Sequence, residues 1–303
     1  MARQRRISRL AAIEERYFYL FISPWIIGFL LFVLVPMIAS IFFSFCRYDV
    51  LTPPNWCGLD NYRRLFSDEL FWKSLKATSL YALGSVPLGL AISLFIALML
   101  NRDIKGVAWF RTVFYLPSVI SGVAVSLLWM WIFNPDFGIL NHLLWKFFRI
   151  QGPAWIASEE WVIPSLIIMS LWGIGGGIVI YLAGLQGIPT ELYEAAEIDG
   201  AGGWRKLINI TLPMISPVIF FNLVMGIIGS FQVFTQAYVM TNGGPNNASL
   251  FMVLYLYRNA FQYFSMGYAS AIAWILFMII MALTMLVFKS SPMWVYYEGA
   301  LRK

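Results

Sequence analysis

The chain has 303 residues, of which 60% are hydrophobic and only 12% charged, with a net charge of +6. Charged residues make up about a quarter of a soluble domain, so this composition excludes a soluble globular protein. Lys and Arg do not interleave with aromatics outside the flanks of apolar runs, which excludes nucleic acid as a partner.

The opening MARQRRISRL is basic and belongs to a tail, residues 1–17. The apolar run from Tyr17 to Phe45 is far longer than the roughly 7–15-residue core of a cleaved signal. It reads as an uncleaved first span, 18–45. Five further apolar runs follow, at about 74–100, 112–133, 161–187, 213–240 and 268–288. A helix needs roughly 20 apolar residues to cross a bilayer, whereas a barrel strand needs only about 10. The expected fold is an all-α membrane protein with six transmembrane helices. The membrane domain is 18–289, its core begins near residue 70, and 290–303 forms a C-terminal tail.

Six spans put both termini on one side. That side would carry Arg3, Arg5, Arg6, Arg9, Arg16, Arg102, Lys105, Arg111, Arg205, Lys206, Lys289, Arg302 and Lys303, 13 of the 21 Lys and Arg. The bias of basic residues toward the cytoplasm makes both termini cytoplasmic. Two cysteines, Cys46 and Cys57, lie at the first outside loop. They read as free thiols, with a disulfide as the alternative in an oxidising exterior. No spacing suits a metal, and His142, in an outside loop, reads as polar surface.

No Asp, Glu, Lys, Arg or His stands in the interior of a span; Lys76 sits at an edge. Ionisable groups in a membrane mark proton relays and ion paths, so a proton-coupled transporter has no visible relay. A membrane enzyme has no visible acid, base or metal ligand. No cofactor is implied. If transport is the task, its energy comes from outside the chain. No Gly-x-x-x-x-Gly-Lys-Ser/Thr loop occurs, so this chain does not itself hydrolyse ATP.

The spans do contain neutral polar groups, including Ser85, Ser170, Asn222, Ser230, Gln232, Thr235 and Gln236. Serines at helix contacts are ordinary packing. Amides in hydrocarbon need partners or water, and amides beside aromatic faces suit a neutral polyhydroxylated ligand. Trp172, Asn222, Ser230 and Gln232 are therefore the candidate substrate path. Trp129 and Trp131 read as interfacial belt residues. Gly173, Gly175, Gly176 and Gly177 cluster in the fourth span. They mark either a broken helix near substrate or a close-packing face.

Residues 188–212 break the apolar pattern. Thr190 is a candidate N-cap with Glu191 in the first turn. Leu192, Ala195 and Ala196 share a face, and Gly200 stops the helix. A second short helix, about 203–210, presents Trp204, Leu207 and Ile208, and Pro213 opens the fifth span. Helices this short do not hold alone in water. The acids Glu191, Glu194, Glu197 and Asp199 disfavour a lipid surface, which leaves a groove in a partner protein.

In this segment Glu194-Ala195-Ala196-x-x-Asp199-Gly200-Ala201 is followed by Ile210-x-Leu212-Pro213-x-x-x-Pro217. It resembles the EAA loop of ABC importer permeases, departing at Leu207, where relatives often have Phe. Gly58-Leu59-Asp60-Asn61-Tyr62, Phe110-Arg111-x-x-x-x-Leu116-Pro117, Trp129-x-Trp131, Thr241-Asn242-Gly243-Gly244-Pro245, Tyr257-x-x-Ala260-Phe261 and Gly267-Tyr268-Ala269-Ser270-Ala271 resemble the carbohydrate-importing branch. Thr235 departs from the Asp that many of those relatives carry. The resemblance runs from about residue 18 to the end. It implies a type I ABC importer permease fold in a bacterial inner membrane. It also implies a second, homologous permease in a heterodimer, two cytoplasmic ATPase subunits, an extracellular solute-binding protein and a sugar substrate. Glu194, Ala195, Ala196, Asp199, Gly200, Ala201, Ile210, Leu212 and Pro213 would then couple the chain to the ATPase. The alternatives are an amino-acid or peptide importer of the same architecture, a stand-alone channel or secondary transporter, or a membrane enzyme.

Overall fold

The computed structural model describes residues 9–102 and 105–296. Arg3, Arg5, Arg6, Arg302 and Lys303 of the charge bias lie outside the described residues, as do the outer parts of both tails, residues 1–8 and 297–303. Three helices are long and apolar enough to cross a membrane: Ile13–Ser44, Glu69–Leu100 and Met266–Met293. Three helix pairs also qualify when each bent pair is taken as one span. Large apolar side chains such as Phe32 and Leu83 stand exposed along these helices, as lipid contact requires.

The chain forms two compact units. The first holds the residues through Leu65 together with Asn259–Trp274. In it, α1 (Arg9–Phe29), a π turn (Leu30–Leu34) and α2 (Val35–Ser44) run in succession. Pro36 has no N–H to donate to the carbonyl four residues back, and that carbonyl, of Phe32, lies inside the π turn. The chain leaves α2 into β1 (Cys46–Arg47), paired antiparallel with β2 (Asn55–Trp56). Buried Asn61, in α3 (Asp60–Ser67), donates its amide to the Ser44 and Cys46 carbonyls, each at 2.9 Å. Cys46 and Cys57 are free thiols, and Cys46 is buried.

The second unit holds Phe66–Arg258 and the residues from Ile275 onward. Its central element is α4 (Glu69–Leu100), capped by Asp68, whose carboxylate accepts from the Leu70 amide at 2.9 Å. Asp68 also accepts from the Tyr255 hydroxyl. Thr78 Oγ1 donates to the Ser74 carbonyl and accepts the Met252 N–H at 3.0 Å, which caps α14 (Met252–Tyr257). Against α4 pack α8 (Val162–Trp172), α9 (Gly175–Gln186) and α13 (Ser216–Phe231).

Several expected elements differ. The run 112–133 is not one straight span: α5 (Val107–Tyr115) passes through a 3-10 turn at Leu116–Val119 and meets α6 (Gly122–Ile132) at 99°. Pro117 lies in that turn, where a full α ladder would lack one donor. The fourth run breaks by 48° at Gly173–Ile174. Its glycines serve both expected roles: Gly173 ends α8, while a Cβ on Gly175 would stand 2.6 Å from the Phe114 carbonyl. The fifth helix ends at Phe231, not near 240, and the chain resumes as a π turn at Ala237–Thr241. His142 lies on a helix, α7 (Ile139–Phe148), rather than in a loop.

Candidate functional site

Residues 188–212 form a helical hairpin. Its first arm, α10 (Thr190–Ile198), begins one residue earlier than expected: Pro189 occupies the N-cap position and Thr190 is the first helical residue. Glu191 stands in the first turn. At the other end Asp199 is the C-cap and Gly200 adopts φ +74°. The Gly200 N–H donates to the Glu197 carbonyl at 3.0 Å and the Ala201 N–H to Ala196 at 2.8 Å. That pair of bonds is a Schellman ending, whose left-handed residue is usually glycine.

The second arm is one helical run, Gly203–Met214, rather than a short helix followed by a span opened at Pro213. It comprises α11 (Gly203–Lys206), a π turn (Leu207–Thr211) and α12 (Leu212–Met214). Pro213 again has its missing acceptor residue, Asn209, inside a π turn. The break comes two residues later, at Ile215, where the chain bends by 63° into α13 and Pro217 occupies the first turn.

Two contacts hold the arms together. Lys206 Nζ donates to Glu197 Oε1 at 2.6 Å, and the Tyr193 hydroxyl pairs with Thr211 Oγ1 at 2.9 Å. The hydrogen bond from Lys206 and its charge hold the Glu197 carboxyl below the usual carboxylate range. Tyr193, Ile210 and Leu212 pack on a buried cluster that contains Leu185, Ile188 and Ile215. Glu194, Ala195, Asp199 and Gly200 remain exposed, while Ala196 and Ala201 are half-buried. Ile198 (88% exposed) and Trp204 (73%) project apolar surface from the hairpin. Leu207 does not share Trp204's exposure; it is half-buried.

Further along the second unit, an open cavity of about 480 Å³ lies among α4, α8, α9 and α13. Asn222 and Ser230 line it; Trp172 and Gln232 do not. Trp172 ends α8 and packs edge-on against Trp129 with ring centroids 6.3 Å apart. Gln232 is the exposed C-cap of α13. Trp129, read as a belt residue, also packs at a tilt against Phe133 with ring centroids 4.9 Å apart, whereas Trp131 is exposed.

The remaining polar lining is Tyr81, Ser85, Ser93, Ser170 and Tyr181. Tyr81, Ser85, Gly89 and Ser93 stand four residues apart on α4, so one helix face presents them all. That i, i+4 stripe of hydroxyls around a glycine was present in the sequence and is the signal that Tyr81 and Ser93 needed. Among the described residues no Asp, Glu, Lys, Arg or His lines the cavity. Ser170 and Ser230 donate to carbonyls three residues back, at 2.7 and 2.9 Å. Asn222 Nδ2 donates to the Val218 carbonyl at 3.1 Å, which leaves its Oδ1 as an acceptor. Hydroxyls and an amide without fixed charge bind by hydrogen bonds and do no acid–base chemistry.

Comparison with known proteins now adds to this geometry. Residues 89–296 match the family of binding-protein-dependent transport system inner membrane components. The probable ABC transporter permease protein YesP of Bacillus subtilis (strain 168) is 48% identical over 285 residues, 93% of this chain and 92% of the relative. The arabinooligosaccharides transport system permease protein AraP of the same organism is 34% identical over 282 residues, covering 90% and 88%. Among solved structures, a bacterial alginate ABC transporter in complex with an alginate pentasaccharide-bound periplasmic protein contains a chain that superposes with a TM-score of 0.80. The two chains are 26% identical, with 92% of this chain and 94% of that one covered.

Proposed function

The chain belongs to the family of binding-protein-dependent transport system inner membrane components, and from that premise we propose how it works. It is a multi-pass permease subunit of a sugar-importing ABC transporter, with the type I importer permease fold. The observation that carries the sugar reading is the uncharged, hydroxyl-lined cavity, together with relatives that serve arabinooligosaccharides and alginate.

The complex contains a second, homologous permease, two cytoplasmic ATPase subunits and an extracellular solute-binding protein that delivers the sugar. The membrane is the bacterial inner membrane, and both termini are cytoplasmic. The hairpin 188–212 docks in a groove of an ATPase subunit. Its exposed Ile198 and Trp204 supply apolar anchors of the kind found at interface centres. Glu194 and Asp199 hydrogen-bond there, while Ala195, Ala196 and Ala201 allow close approach. Ile210, Leu212 and Pro213 carry the motion from the hairpin into the buried cluster and α13. Closure of the ATPases then turns the helices around the cavity between outward- and inward-facing states. Within the cavity Asn222 and Ser230 hydrogen-bond the sugar. Trp172 and Gln232 belong to the path beyond it.

The test is uptake of labelled oligosaccharides by cells with this gene deleted and complemented. Complementation by wild type restores uptake, and Asn222→Leu or Ser230→Leu does not, although the ATPase still copurifies with either variant. Normal uptake through both variants removes these residues from the path. Transport at full rate by this chain alone in vesicles, without an ATPase, overturns the whole reading.

A further inference from the structure

We infer that Tyr181 is a substrate-contacting residue of the cavity, and that through it the bound sugar bears on the buried cluster to which the hinge residue Ile215 belongs. This rests on the sugar-path reading above and adds to it a residue and a physical link. Tyr181 stands in α9 with its side chain almost wholly buried, at 1% exposure. Its hydroxyl has no hydrogen-bond partner. A buried hydroxyl left unpaired is costly and calls for an explanation. The residue also lines the open cavity, beside Gly177, Ser93 and Asn222. A Cβ on Gly177 would come within 3.2 Å of Ser93 Oγ, so this glycine keeps the wall of the cavity open there. The hydroxyl is sealed beneath the cavity wall in this conformation, and a ligand rich in hydroxyls that parts the wall supplies the donor or acceptor that the phenol lacks.

Tyr181 is a member of the buried cluster with Leu185, Ile188 and Ile215, against which Tyr193, Ile210 and Leu212 of the hairpin pack. Ile215 is the fully buried residue at the 63° bend. Close-packed interiors transmit small displacements instead of absorbing them. A hydrogen bond to the Tyr181 hydroxyl therefore orders a member of the cluster that contains Ile215 and on which the hairpin packs.

The experiment is equilibrium binding of labelled lactose, arabinotriose, maltotriose, diacetylchitobiose and digalacturonate to the purified complex, read with the sugar that wild type binds. Tyr181→Phe keeps the ring and removes only the hydroxyl. At matched complex yield it raises Kd about 3- to 10-fold, the range expected for one neutral hydrogen bond, at an unchanged number of sites. The sugar concentration that half-stimulates ATP hydrolysis rises by the same factor. A merely structural role for the hydroxyl would lower the number of sites and the maximal rates and leave both half-saturation points in place. Binding by Tyr181→Phe within twofold of wild type, while Asn222→Leu loses it, removes Tyr181 from the site and leaves the cavity reading intact. Wild-type binding by both variants removes the cavity reading as well.

Discussion

Glu197 and Lys206 are nine residues apart and meet at 2.6 Å because Gly200 reverses the chain between them. The pair is largely exposed on the Glu197 side, so it adjusts the hairpin's stability and does not create it. The sign of its pH dependence is fixed by the direction of the shift. Lys206 holds the folded-state carboxyl below its ordinary value of 4.5. The contribution is therefore present above that value and is lost as pH falls through the folded one. Hydrogen exchange across residues 190–206, corrected for intrinsic rates, should lose protection as pH drops below about 4.5. Lys206→Met should lower protection at neutral pH and flatten that dependence. An unchanged profile in Lys206→Met would show that the contact does not form. The contact itself could not be read from spacing, because a nine-residue separation matches no single-helix face and depends on the turn at Gly200.

At the scale of the element, the hairpin's form rests on that left-handed residue. A Cβ on Gly200 would meet nothing within 4 Å, so alanine incurs only the backbone penalty, about 1–2 kcal/mol. Proline cannot adopt a positive φ and would also remove the N–H that bonds Glu197. Gly200→Ala should therefore keep most of its transport and copurify with the ATPase. Gly200→Pro should lose both, and the two variants together separate loop geometry from side-chain bulk. Full transport in Gly200→Pro would show that the reversal is dispensable. This element was legible in part: Glu191 in the first turn and Gly200 past the last stand where the chemistry of helix ends puts them, whereas the N-cap is Pro189 and not the expected Thr190. The spans were legible as apolar length only. Lipid and packed neighbours are equally apolar, so a span carries no strong hydrophobic face from which its rotation can be read. That is why Asn222 and Ser230 line the cavity while Trp172 and Gln232, grouped with them from the sequence, do not. The bends at Ser121 and Ile215 were equally hidden, and the one at Gly173 was offered only as one of two readings of its glycines. Proline and glycine permit a break there, but Pro87 sits inside the unbroken α4, so composition alone does not say which sites bend.

For the molecule as a machine, the decisive question is how motion passes Ile215. The hinge is backed from an unexpected direction, by the end of the last long helix and the residues that follow it. Ser216 Oγ donates to the Pro213 carbonyl at 2.6 Å, across the bend, and accepts the Tyr296 N–H at 2.8 Å. One turn along α13, Phe220 packs edge-on against Phe288 at 4.9 Å and at a tilt against Trp294 at 6.1 Å. The α13 side of the bend is thus tied to Phe288, Trp294 and Tyr296, and Ser216 joins that tie to Pro213 across the bend, so the hinge angle is coupled to that segment. A net hydrogen bond is worth about 1 kcal/mol, a factor of about five in a two-state equilibrium. Ser216→Ala, and separately truncation after Met293, should therefore lower the sugar moved per ATP hydrolysed in proteoliposomes holding the whole complex, by up to about fivefold. Ser291→Ala serves as the comparison. Its hydroxyl bonds only the Phe288 carbonyl three residues back, and its ratio should match wild type. If Ser216→Ala and the truncation also give the wild-type ratio, the tie carries no load, and the hinge is held by the buried cluster around Ile215 alone.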